Sequence, residues 1–264
     1  MTEKTASDGA SPEETGPADR RTTDFGVICS QRAEVKGLLR HIDRQRRYTD
    51  EGITFRGGFI RETIRVAVVE AGNGFARHRK AAEILIREHS PRWVLSVGFS
   101  SALEESIRPG DLVLANSIQD THGNSIEVPC RVPSSRRVHV GGWVVADQHP
   151  HRQSEKQSLA AAGDLIAVDT VSLAVAQVCR DTDVKFMGIR AVVDTFNEEM
   201  PDLACELLFR PSGKAWGGAL GGVVKSLRRA SILNDWRKRS QDAAEHLGTY
   251  SGTVIVRIAE KLNL

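Results

Sequence analysis

Residues 164–194 read DLIAVDTVSLAVAQVCRDTDVKFMGIRAVVD, and this stretch decides the fold. After Asp164 a short apolar run of strand length leads into TVSLAVAQVC, whose apolar residues recur at helical spacing; VKFMGIRAVVD is a second strand pattern ending on Asp194. Strand, helix and strand within about thirty residues is a unit of a parallel sheet, because the helix returns the chain to the same end of the sheet. The alternation recurs outward from here. FGVICS (25–30) precedes the helical pattern AEVKGLLRHI (33–42), a helix is predicted over 76–89 up to Ser90 and Pro91, and RWVLSVG (92–98) follows as a buried strand. ITFRGGFI (53–60) and TIRVAVVE (63–70) form a hairpin-like pair, RPGDLVLANSI (108–118) and VHVGGWVVAD (138–147) add strands, and SEKQSLAAAG (154–163) is a short helix. Residues 122–137 are polar and read as a surface loop. The expected fold is α/β: a single domain with a central mixed, mostly parallel twisted sheet flanked by helices, with ligands collecting at the carboxyl ends of the strands.

The 264 residues are 40% hydrophobic and 27% charged, enough to bury one large core. A net charge of +2 gives no overall field toward nucleic acid, and no nucleic-acid partner is expected. Cys29, Cys130, Cys179 and Cys205 are scattered without a C-x-x-C pair, so reduced thiols in a cytoplasmic protein are expected rather than a zinc site or disulfide framework. Residues 1–22 lack the apolar core of a signal peptide and read as a disordered tail; the domain is expected over 23–264. No apolar run reaches the ~20 residues of a membrane span. Residues 213–264 form a helical C-terminal extension, opening GKAWGGALGGVVKSLRRASILNDWRKR. It reads either as a terminal helix packed on the sheet or as a basic amphipathic surface making a peripheral membrane contact.

Chemistry is suggested by acids at strand ends. Asp194 closes GIRAVVD (188–194), and Glu34 lies just beyond FGVICS. Two carboxylates from distant segments suit cleavage of a glycosidic bond, one protonating the leaving group and the other activating water. EAGNGFARH (70–78) resembles a dinucleotide fingerprint but has Arg77 at the third glycine position, so it reads as a tight turn. His149 and His151 form an H-x-H pair without a third ligand nearby in sequence. No cofactor and no metal are expected.

GVICSQRAEVKGLL (26–39), SVGFSSALEESIRPGDLVL (96–114) and GIRAVVD together resemble the nucleoside phosphorylase and nucleosidase superfamily, in particular the methylthioadenosine/S-adenosylhomocysteine nucleosidases. The resemblance implies that Glu34 activates the attacking water, that Asp194 protonates a purine, and that Arg190 lies near the sugar. It places Gly98, Phe99 and Ser100 in the glycine-rich turn of the pocket and His149 near an aromatic position that stacks on the base. It also implies a homodimer. The extension resembles that of hopanoid-associated phosphorylase-like proteins, taken to release adenine from a lipid-linked nucleoside.

The chain departs from this pattern. Thr170 and Val171 stand where the family carries Met and a Glu that grips the ribose hydroxyls, and Val193 stands where Ser is usual. The expected activity is N-glycosidic cleavage of a purine nucleoside-like substrate with release of adenine or a related base, hydrolytic because Val94, Leu95 and Ser96 stand where the phosphorylases place an Arg beside the glycine-rich turn. Phosphorolysis, with Arg32 or Arg77 holding the anion, and non-catalytic nucleoside binding both stay open on sequence alone.

Overall fold

The computed structural model describes residues 22–209 and 227–264. The expected tail, apart from Thr22, and residues 213–226 of the extension lie outside the described residues. In chain order the elements are β1 (Phe25–Cys29), α1 (Arg32–Leu39), β2 (Asp43–Asp50), β3 (Ile53–Ile60), β4 (Ile64–Glu70), α2 (Phe75–His89), β5 (Trp93–Ala102), β6 (Leu112–Asp120), β7 (Ser125–Glu127) and β8 (Val138–Val145). There follow α3 (Gln153–Ala160), β9 (Leu165–Asp169), α4 (Ser172–Asp181), β10 (Lys185–Asp194), α5 (Asp202–Phe209) and α6 (Leu227–Lys261).

The sheet is mixed, in the order β10-β6-β8-β9-β5-β1-β4-β3-β2, with β10 also pairing β5. Strands β5, β10, β6, β8 and β9 thereby close into a ring, and β1, β4, β3 and β2 extend from it. Parallel ladders join β4, β1, β5 and β10, whereas β10–β6 and β5–β9 are antiparallel. Two strands escape the sequence patterns. DRQRRYTD (43–50) is almost wholly exposed and has no apolar alternation, yet β2 pairs with β3 in an antiparallel ladder. β7 forms a short strand on β6 within the stretch read as a loop.

The core lies on both sides of the sheet. One cluster joins Val27, Leu95, Leu114 and Ile189 to Val35 and Leu38 of α1 and to Trp236, Leu247 and Ile255 of α6. A second joins Ile28, Val69 and Val94 to Ala81 and Leu85 of α2 and Val175 and Val178 of α4. Thus the described helix of the extension buries its apolar face on the sheet and on α1. That contact is close because both helices carry glycine at the crossing: a Cβ on Gly248 would stand 2.5 Å from the Gly37 Cα. The crossing fixes α1 and, with it, Glu34.

Candidate active site

Glu34 sits in the first turn of α1, at the carboxyl end of β1, and is 3% exposed. Its Oε2 accepts the backbone N–H groups of Ser30 at 2.7 Å and Gln31 at 3.1 Å. These donors are the amides a helix N-terminus leaves unpaired, so the carboxylate is held rigidly. On its other side, a Cβ on Gly98 would lie 3.1 Å from Oε1, so glycine is what lets the carboxyl approach β5. Burial pushes Glu34 up to about 7, partly offset by the Gln31 amide and the charge of Arg190. A general base poised there is half ionised near neutrality.

This has a measurable consequence for stability. Between the ordinary carboxyl value and about 7 the folded protein binds a proton that the unfolded chain releases, so stability falls as pH rises through that window. The loss is about 3 kcal/mol at 1.36 kcal/mol per pH unit. We expect the melting temperature to fall from about pH 5 to about pH 8, and the slope to flatten in Glu34→Gln. An unchanged slope in that variant would remove Glu34 as its source.

Arg190 projects from β10 beside Gly98, its partner in the parallel ladder. It is buried, and its guanidinium meets Asp169 Oδ2 at 2.6 Å. It also donates to Ser96 O (2.8 Å), Ile189 O (3.0 Å), Ser96 Oγ (2.9 Å) and Ser172 Oγ (2.7 Å). Counting the bond from Nε to Asp169, every one of its N–H donors has a protein partner. Arg190 thus forms part of the wall of the site and holds Asp169, its donors engaged by Asp169, Ser96, Ile189 and Ser172.

Asp194 ends β10 and is fully buried. Its Oδ1 accepts from Ser101 Oγ at 2.5 Å, and Oδ2 is bound by the ammonium of Lys156 from α3, itself 0% exposed. Lys156 completes its set of donors on Thr195 O and Glu198 O, both at 2.7 Å. Desolvation raises Asp194 to about 6 against the opposing pull of Lys156 and Ser101.

His149 is buried, with Nε2 2.7 Å from Ser101 Oγ, and its ring stacks on Phe209 of α5 at 3.4 Å between centroids. The residue expected to stack on a base therefore already stacks within the protein. The hydroxyl that reaches Asp194 is that of Ser101; its expected neighbour Ser100 is buried, lines neither cavity described below, and its Oγ has no hydrogen-bond partner.

Two adjoining cavities meet here. A void of about 20 Å³, of the order of one water molecule, is lined by Glu34, Gly98, Phe99, Thr170, Val171 and Arg190 among others. A larger cavity of about 460 Å³ is lined in part by His149, Thr170, Leu173, Asp147, Asn73 and Phe209. Thr170, Asn73 and Phe209 belong to both. Helix α5 closes over the smaller void: Gln31 Nε2 donates to Leu208 O at 2.8 Å and Asn73 Nδ2 donates to Phe209 O. A sugar ring is larger than the void alone, and the void adjoins the larger cavity along Asn73, Thr170 and Phe209. Asp194 lines neither cavity and lies behind Ser101 and His149.

Comparison with known proteins agrees with this geometry. Residues 24–140 match the sequence model of the phosphorylase superfamily. The 5'-methylthioadenosine/S-adenosylhomocysteine nucleosidase of Shewanella loihica is 24% identical over 206 residues, covering 67% of this chain and 88% of the relative. That of Staphylococcus aureus is 22% identical over 201 residues, covering 66% and 88%. Among solved structures, the Streptococcus pneumoniae enzyme of the same name superposes with a TM-score of 0.61 at 18% identity, covering 85% of this chain and 98% of that one. Futalosine hydrolase of Helicobacter pylori does so with 0.63 at 16% identity, covering 86% and 96%. The ring of strands is thus a fold shared with these solved structures, and over residues 24–140 the chain is similar to the phosphorylase superfamily.

Proposed function

We propose that this protein hydrolyses the N-glycosidic bond of a purine nucleoside-like substrate and releases adenine or a related base. The observation that carries this reading is the placement of two buried, raised carboxyls at the ends of the two strands that flank β5: Glu34 in the first turn of α1 just beyond β1, beside Gly98, and Asp194 closing β10. Glu34 takes a proton from the attacking water, and Asp194 supplies the proton that leaves with the base. The relatives named for nucleosidase and hydrolase activities support the same reaction class. The homodimer rests on the resemblance alone, and the cytoplasmic setting on the scattered cysteines. No described helix is long and apolar enough to cross a membrane.

Water is the nucleophile in this reading because the walls of the small void carry Glu34 and Asp169, and the guanidinium there is already paired. Arg32 and Arg77 line neither cavity, and Arg77 Nε donates to Ala71 O at 2.7 Å. Adenine release from 5'-methylthioadenosine is expected to proceed equally with and without inorganic phosphate. A requirement for phosphate would overturn hydrolysis. The reaction needs Glu34 ionised and Asp194 protonated, although Glu34 holds its proton to the higher pH, about 7 against about 6. The rate is then expected to be bell-shaped with a maximum at about pH 6.5, where only about a twentieth of the molecules hold both forms. A plateau extending above neutrality would exclude Asp194 as the acid.

A further inference from the structure

We propose that the proton for the leaving base reaches it through a relay, from Asp194 through Ser101 to His149, and that His149 Nδ1 is the atom that meets the base. This deepens the nucleosidase reading and rests on it. Ser101 Oγ lies 2.5 Å from Asp194 Oδ1 and 2.7 Å from His149 Nε2. A hydroxyl carries one hydrogen, so it can donate to only one of these neighbours and must accept from the other. When Asp194 is ionised, Ser101 donates to it, His149 Nε2–H donates to Ser101, and Nδ1 presents a lone pair. When Asp194 is protonated the chain reverses, and Nδ1 carries a hydrogen.

Access separates the two ends of the chain. Asp194 touches neither cavity, whereas His149 lines the larger one, and its Nδ1 is buried without a hydrogen-bond partner among the described residues. Phe209 covers one face of the ring, and Nδ1 is the ring nitrogen that no described protein group engages. In the step itself, the Asp194 hydrogen passes to Ser101 Oγ as the Ser101 hydrogen passes to His149 Nε2 and the Nδ1 hydrogen passes to a ring nitrogen of the base. The electron pair of the breaking C–N bond stays with the base. The oxygen of water bonds to the sugar carbon and its proton goes to Glu34. Asp194 ends as a carboxylate held by Lys156, so Lys156 is a positioning residue; the other charged groups facing the chain are His151 and Glu198.

The test reads the His149 tautomer directly, by imidazole nitrogen NMR on the full chain in mildly alkaline buffer, with His149→Gln assigning the signals. Wild type is expected to show the Nε2–H form. In Asp194→Asn the carbonyl oxygen turns to Lys156 and the amide donates to Ser101, so His149 is expected to switch to the Nδ1–H form. In Ser101→Ala that dependence on position 194 is lost. An unchanged His149 tautomer in a folded Asp194→Asn protein would overturn the relay. His149→Phe keeps an aromatic ring against Phe209 but has no nitrogen, and its kcat for adenine release from 5'-methylthioadenosine is expected to fall by about 100-fold or more. Retained kcat would show that His149 only packs, and would also overturn the proposal. Failure of wild type to release adenine from any adenine nucleoside would sink the nucleosidase reading, and the relay's proton path would still be decided by the tautomers.

Discussion

Asp194→Asn is expected to lower base release by about 10²- to 10⁴-fold, the scale of losing a general acid. The substitution keeps the volume at the end of β10 but removes the acidic proton, and its amide donates to Ser101 where the carboxylate accepted. It also leaves the Lys156 ammonium, buried and previously opposite a carboxylate, facing a neutral oxygen. Loss of stability therefore has to be separated from loss of chemistry. Single-turnover rates on protein that retains its cooperative melt make that separation, and a further variant, Lys156→Met with Asp194→Asn, removes the unpaired charge altogether. If the double variant regains stability but not turnover, the missing proton is the cause. Turnover near the wild-type rate in Asp194→Asn would take Asp194 out of the mechanism.

Arg190→Met is expected to destabilise the fold by about 3–5 kcal/mol, the cost of breaking a buried ion pair by removing one partner. The size follows from what is left behind. Asp169 is 3% exposed and would keep, among the described residues, only Ser172 as a close donor, through its backbone N–H at 3.1 Å and its hydroxyl. Ser96, on β5, would lose the donors that tie it to β10. A lowering of the melting temperature by about 10 °C corresponds to this range in a domain of this size. Arg190→Lys restores the charge but not the planar fork, so it should recover only part of the loss. The double variant Asp169→Asn with Arg190→Met should cost less than the sum of the two single changes, because the unpaired charge is gone. Additive losses would show that the pair is not an energetic unit.

Much of this was legible in the sequence because the central strands are apolar and continuous. FGVIC, WVLSVG and GIRAVVD signal buried strands whatever their partners, and the acids at their ends lie where such sheets place ligands. Lys156 was not legible: it sits in QSEKQSLA, a polar helix in which a lysine normally points to water, and only the fold carries it to Asp194. Ser100 and Ser101 cannot be told apart by composition, and the ladder irregularity between Val192 and Asp194 decides which hydroxyl reaches the acid. Phe209 lies far along the chain from His149, and no local pattern signals that their rings meet. β2 is a strand by virtue of its partner alone, since DRQRRYTD has none of the alternation that marks a half-buried strand.

That last strand also shapes how copies of the chain meet one another. Among the described strands β2 pairs only with β3, so its other side is an open edge with backbone donors and acceptors available to any chain that docks there. Symmetric antiparallel docking of two such edges, centred between Arg46 and Arg47, would set Arg46 of each copy opposite Arg47 of the other. It would also place Asp43 opposite Asp50. Like charges directly opposite each other in a ladder repel, so the strand that leaves the sheet open also guards it against runaway edge-to-edge aggregation. In that register the edge of β2 resists pairing with a second copy of itself.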